Sequence, residues 1–167
     1  IQQVNTDFNI NNLWIEFYHI EVNMASLSVH ISETEKRNQF SLISQCKTFN
    51  YMQSIQAFIE AKNKNFDDSL LLNTSDELCC GTTFNILLKR DNQWFTPRKE
   101  SGCLAGIMIN KLLDLNLIKE AYLKPNFKKD DILIAINSLS CRQIKRVNNL
   151  NLISEFDTNY FWELLYQ

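Results

Sequence analysis

Apolar positions along this chain follow two rhythms, short unbroken runs and spaced stripes, and their interleaving predicts an α+β fold. After an Asn-rich start, the aromatic and β-branched residues from Trp14 to Ile20 predict a strand, and "SLSVHI" predicts a second. The polar "SETEKRNQ" that follows reads as a surface loop or a helical turn. Tyr51, Ile55, Phe58 and Ile59 then recur at steps of four, three and one. That stripe predicts an amphipathic helix within "KTFNYMQSIQAFIEAKNKN", its first turn just after Lys47. Downstream, "SLLLN" reads as a strand, "NTSDE" as a turn, and "FNILLKR", "DNQ" and "WFT" as a hairpin. A helical pattern resumes in "LAGIMINKLLDLNLI" with Gly106 at its entrance. Past Pro125, "DDILIAINSLS" predicts a strand, and "NYFWELLYQ" predicts a closing helix.

Composition narrows the function classes. The chain has 167 residues, 45% hydrophobic and 22% charged, enough to bury one proper core. Its net charge of -2, with both signs interspersed, offers no basic stripe for nucleic acid and no polybasic membrane anchor. No apolar run approaches the roughly 18 residues a membrane span needs, and the start lacks the basic flank and apolar centre of a signal peptide. The first residue is not methionine, so a processed product or the downstream part of a longer chain is expected. Cys46, Cys79, Cys80, Cys103 and Cys141 are odd in number and form no C-x-x-C pair, which predicts buried thiols in a reducing, cytoplasmic compartment. His19 and His30 read as solvated or hydrogen-bonded strand histidines, and no metal site is expected.

Two places carry candidate chemistry. Only three glycines occur, where an average domain of this length would have roughly a dozen, and two of them, Gly102 and Gly106, flank "CLA". A helix whose first residues are "AGIM" presents free backbone N–H groups and the positive end of its dipole to an anion. The alternative is a glycine that merely lets helix and hairpin pack closely. Lys47, between the uncharged "SLISQC" and a helix, is the second candidate. Partial burial there would lower its pKa and turn its amine into a nucleophile, against the alternative of an ordinary surface lysine.

The order of these pieces resembles a known family. The lysine followed by Asn50-Tyr51 and a helix, the "GTTFN" turn into a strand, the hairpin ending "TP", and "SGCLAGIM" together look like the class IV (fold-type IV) pyridoxal-phosphate enzymes. The likeness runs over roughly residues 26 to 145. That family includes branched-chain and D-amino acid aminotransferases and 4-amino-4-deoxychorismate lyase, and "KTFNY" and "SGCLAGIM" lean towards the lyase. The resemblance implies the C-terminal domain of the D-amino acid aminotransferase-like fold, with pyridoxal 5'-phosphate as cofactor. Lys47 would carry the cofactor aldehyde as a Schiff base and act as catalytic base. Tyr51 would lie near the phenolic oxygen and Thr83 against the ring. Ile107 and Met108 would offer N–H groups to the phosphate beside Gly106, and Ser138 would add a hydroxyl.

Two positions depart from the family pattern. The glutamate that pairs with the pyridine nitrogen, five residues before the turn asparagine Asn85, is Cys80 here, and a thiol is a poor substitute for a carboxylate. Glu77 lies three residues earlier. Ile109 stands where the family usually has arginine. Only 46 residues precede Lys47, so residues 1–24 are expected to be a remnant of the family's smaller N-terminal domain, or an interdomain segment, and 25–167 the cofactor-binding domain. The resemblance thus implies a lyase eliminating pyruvate to leave 4-aminobenzoate for folate synthesis. Its alternatives are a class IV aminotransferase and a non-catalytic relative serving as an interaction module. A small amino substrate and a homodimer of the full-length parent are the implied partners.

Overall fold

In a computed structural model of the chain, residue 17, residue 19 and residues 21–164 are described. Among the described residues nine strands form one mixed sheet: β1 (Leu27–Arg37), β2 (Asp68–Asn73), β3 (Leu78–Gly81), β4 (Asn85–Arg90), β5 (Gln93–Pro97), β6 (Lys119–Ala121), β7 (Ile132–Asn137), β8 (Ser140–Val147) and β9 (Leu150–Asn151). Their order is β3-β2-β1-β8-β7-β4-β5-β6, with β9 on β8. Helices α1 (Met52–Asn63), α2 (Ile107–Asp114) and α3 (Asn159–Glu163) pack around it. The α+β expectation holds.

The parallel pairs explain where the helices go. Strand β1 pairs in parallel with β2, and β5 with β6. Parallel neighbours cannot be joined by a tight turn, so each pair needs a crossover. Helix α1 lies in the first crossover and α2 in the second, which puts Lys47 and Gly106 on the two segments that lead from a strand into a helix.

Strands β4 and β7 read as unbroken apolar runs because both of their faces are covered. Ile86, Leu88, Leu133 and Ala135 join one core with Val29, Leu70, Leu78 and Ile144. Leu87, Ile132, Ile134 and Ile136 join the other with Trp94, Met108, Leu112 and Phe161. Ile109, the residue in place of an arginine, is 6% exposed in this second core, so packing accounts for it. A third, smaller cluster of Ala57, Leu71, Cys79, Cys80 and Cys103 seals α1 against β2 and β3.

Several expectations need correction. "SETEKR" is not a loop or helical turn: β1 runs through it to Arg37, with a register break against β2 between Ile31 and Lys36. The buried Glu60 carboxylate of α1 makes this possible. It accepts hydrogen bonds from Ser32 Oγ (2.7 Å), Thr34 Oγ1 (2.8 Å) and the backbone N–H of Glu33 (3.0 Å). The irregular strand segment is thereby paired off the ladder.

The stripe Tyr51, Ile55, Phe58 and Ile59 faces outward, and α1 buries Ser54, Ala57, Glu60 and Ala61 instead. Small side chains let the helix approach the sheet closely, and Ser69 Oγ donates to the Ala57 carbonyl at 2.7 Å. Helix α1 begins at Met52, not directly after Lys47. Strands β3, β6 and β8 were not expected, being short or polar on alternate positions. The strand predicted from Trp14 lies largely outside the described residues, as does the end of the closing helix.

Burial alone would raise the pKa of Glu60, but the hydrogen bonds from Ser32, Glu33 and Thr34 outweigh it and hold the group well below the usual carboxylate range. A carboxyl depressed in the folded state contributes stability above its unfolded pKa of about 4.3 and loses it as pH falls. Glu60→Gln is therefore expected to cost about 2 kcal/mol at neutral pH. The gap between variant and wild type in thermal melts should narrow steadily as the pH is lowered below about 4.

Candidate functional site

The turn after β3, the start of α2 and the β7–β8 hairpin are joined by two asparagines. Asn85, the first residue of β4, donates through Nδ2 to the Leu104 carbonyl at 2.8 Å. Asn137, the last residue of β7, donates to the Thr83 carbonyl at 3.3 Å and accepts from the N–H groups of Leu139 and Ser140. Thr83, Gly106 and the hairpin residue Ser138 are thus tied to one framework, with Thr83 and Ser138 exposed.

Helix α2 opens at Ile107 with Gly106 as its N-cap and no side-chain cap. The leading N–H groups of such a helix have no intrahelical acceptor, so Ile107 and Met108 offer donors to an anion. Their side chains diverge, Ile107 to solvent and Met108 into the core. The two glycines act differently. A Cβ on Gly106 would lie 2.1 Å from Asn85 Oδ1, so its bare Cα admits the asparagine. The close-packing alternative thus describes Gly106, which lets Asn85 dock beside the start of α2. Gly102 has φ +91°, and a Cβ there would lie 2.9 Å from the Gln39 Cα, which brings this turn against the segment leading to Lys47.

Lys47 is exposed, which corrects the expectation of partial shielding: the segment from Cys46 to Tyr51 stands off the sheet before α1 begins. Its Nζ is 3.4 Å from the Tyr51 hydroxyl, so the residues at this four-residue spacing do meet. Cys80 is 8% exposed in the cluster with Ala57 and Cys103, between α1 and the turn that precedes α2. Glu77 is taken up by Asn73, whose Nδ2 donates to it at 3.0 Å, and does not replace the missing glutamate. Four of the five cysteines are buried as expected, while Cys46 is exposed.

Two other polar clusters were not legible in the sequence. His30 Nε2 and Glu60 Oε1 are 3.1 Å apart and Glu33 lies beside them, a grouping with metal-ligand spacing. The Lys64 ammonium already sits among these groups, 2.8 Å from Glu33 and 3.3 Å from Glu60. His30 is the hydrogen-bonded strand histidine anticipated, and Asn148 holds its Nδ1 at 2.9 Å. An open cleft of about 260 Å³ lies at the far end of β4. Its Arg90 and Asp131 satisfy each other through contacts of 2.9 and 2.6 Å, and none of the predicted site residues lines it.

The amino-transferase class IV family model matches residues 11–147. A Synechocystis sp. protein described as a branched-chain-amino-acid aminotransferase is 27% identical over 61% of this chain and 36% of its own length. A Schizosaccharomyces pombe protein described as an aminodeoxychorismate lyase is 32% identical over 53% of this chain and 43% of its own. The chain therefore spans less than half the length of either relative.

Among solved structures, a Legionella pneumophila protein described as a 4-amino-4-deoxychorismate lyase superposes with a TM-score of 0.79 at 23% identity, covering 90% of this chain and 59% of that one. A branched-chain aminotransferase from Thermobaculum terrenum in its PLP form gives 0.75 at 20% identity, covering 84% and 51%. These likenesses show that the fold is shared.

Gly106→Ala is expected to push Asn85 away from Leu104 and lower stability by about 1–2 kcal/mol. Adding Asn85→Ser should restore part of the lost melting temperature. A Gly106→Ala variant as stable as wild type would contradict this account of the packing.

Proposed function

The chain belongs to the amino-transferase class IV family, and from that premise we propose that residues 25–167 are the pyridoxal 5'-phosphate-binding domain of a longer lyase resembling aminodeoxychorismate lyase. The observation that carries this reading is the meeting of Lys47 with Tyr51 in a chain whose α2 start is uncapped and buttressed by Asn85. The residues suit the cofactor: an accessible amine, backbone donors for a phosphate, and a bare Cα at the helix entrance.

In this reading Lys47 carries the cofactor and, once released, takes the substrate α-proton on Nζ. Tyr51 holds that amine and faces the phenolic oxygen. Ile107 and Met108 bind the phosphate through their N–H groups, Ser138 adds a hydroxyl, and Thr83 lies against the ring. Cys80 sits at the ring-nitrogen position. When bound, the cofactor supplies an electron sink for the pair left at the α-carbon.

Pyruvate elimination to 4-aminobenzoate, a step of folate synthesis in the cytoplasm, is the proposed outcome. The Synechocystis relative favours a second reading, a branched-chain or D-amino acid aminotransferase in which Lys47 returns the proton elsewhere. Cys80 and Ile109 favour a third, a non-catalytic relative acting as an interaction module. The full-length parent is proposed to be a homodimer. The outward α1 face of Met52, Ile55 and Ile59, apolar and uncharged, suits such packing. No helix among the described residues is long and apolar enough to cross a membrane.

Borohydride reduction of the protein mixed with pyridoxal phosphate, followed by peptide mapping, should label Lys47 selectively and lose that label in Lys47→Ala. Labelling spread over surface lysines would overturn the cofactor reading. Pyruvate release from aminodeoxychorismate by the full-length parent separates lyase from aminotransferase.

A further inference from the structure

The polar cluster just past the end of α1 is built around a nitrogen lone pair. Asn148 Oδ1 accepts from the Ile31 backbone N–H at 2.9 Å, which fixes the end of its amide that faces β1. The same oxygen lies 2.9 Å from His30 Nδ1, so Nδ1 carries a proton and donates it. On the other side of the ring, Nε2 meets the Lys64 ammonium at 2.9 Å. Two N–H donors cannot share that contact, so Lys64 donates to the Nε2 lone pair.

The ammonium has two further partners. Glu33 Oε2 lies 2.8 Å and Glu60 Oε1 3.3 Å from Lys64 Nζ. One imidazole nitrogen and two carboxylates thus surround a single cationic atom. Among themselves, Nε2 is 3.1 Å from Glu60 Oε1 and 3.8 Å from Glu33 Oε1. Ligands at about 2.0–2.1 Å from a tetrahedral zinc ion stand about 3.3 Å apart, between those two separations.

The surrounding contacts are those that metal ligands depend on. A ligating imidazole donates its other N–H to a carbonyl or carboxylate, which fixes both ring and tautomer. Asn148 accepts that bond here, and Phe66 packs against the ring with centroids 5.6 Å apart. The Glu60 carboxylate is oriented in turn by Ser32, Thr34 and the N–H of Glu33. His30 and Glu60 are buried, whereas the Glu33 and Lys64 side chains are 70% and 38% exposed. The buried pair is the rigid floor of the site, and its open side is covered only by a long, flexible lysine. Two carboxylates against one ammonium also leave an uncompensated negative charge, which a divalent ion in the ammonium's place would neutralise.

We propose that His30, Glu33 and Glu60 form a site for a divalent ion of the zinc type, that Lys64 fills it in the metal-free protein, and that the ion enters by displacing the Lys64 ammonium into solvent. Water would take the fourth position. An ion of this type suits nitrogen and carboxylate together, whereas magnesium or calcium asks for six or more ligands, chiefly oxygens. Bound there, it would join β1, α1 and the turn at Asn148. None of the residues proposed to hold pyridoxal phosphate takes part.

The test adds zinc in thermal melts, and cobalt(II) as its spectroscopic substitute, to the cofactor-free protein. Zinc should raise the melting temperature where magnesium does not, and cobalt should give the visible bands of a four-coordinate nitrogen–oxygen site with no thiolate charge-transfer band. Glu33→Gln, at an exposed side chain, should stay folded and lose both responses. Lys64→Ala, with no ammonium to displace, should bind zinc roughly tenfold or more tightly than wild type. Asn148→Gly keeps the φ of +48° that glycine tolerates, and should bind roughly tenfold or more weakly because the ring is no longer held. No response of the wild type, a thiolate band, or zinc affinity unchanged in Glu33→Gln overturns the site. Equal affinity of Lys64→Ala and wild type overturns the displacement.

Discussion

One carboxylate governs how the first crossover is built. Glu60 reaches from α1 into β1 and collects donors from Ser32, Glu33 and Thr34, where the strand breaks its register with β2. Without an acceptor there, the buried Ser32 hydroxyl would lose the group it donates to, which costs more than the bond itself returns. The helix is fixed by the same contact. Its orientation turns Ser54 and Ala57 towards the sheet and Tyr51 outward, so the Tyr51 hydroxyl reaches Lys47 on the open side.

The second crossover repeats the device with different chemistry. Asn85 holds the approach to α2 through the Leu104 carbonyl and occupies the space that Gly106 leaves free, while Asn137 fixes the neighbouring turn at Thr83. In the first crossover a buried polar side chain docks the helix on the strand, and in the second one holds the loop that enters the helix. Apart from the buried Cys80, the residues proposed to touch ligand are exposed or present only backbone groups, so their positions are set by partners that never meet it.

The fold class was legible because the apolar runs of β2, β4 and β7 are long enough to be read as strands covered on both sides. The helix stripe misled. Periodicity reports that one face of α1 differs from the other, but Ser54, Ala57 and Ala61 form the buried face because close approach to the sheet favours small side chains. A polar stretch such as "SETEKR" reads as loop until its acceptor is known, and that acceptor lies on another element. The spacing of Lys47 and Tyr51 was readable, whereas the meeting of His30 with Asn148 was not, because 118 residues separate the two in the sequence.

Strand β1 is made well before β8 yet pairs with it, and His30 meets Asn148 across 118 residues. Contacts so distant in sequence form only after a large loop has been closed, which slows the search for the native topology. Until β8 has been synthesised, one edge of β1 has no native neighbour, and the apolar side chains Phe40, Leu42, Ile43 and Phe49 just beyond it are exposed even in the finished fold. A nascent chain in that condition is a substrate for chaperones and a seed for edge-to-edge aggregation, so the yield of folded protein should depend on how quickly β8 follows β1.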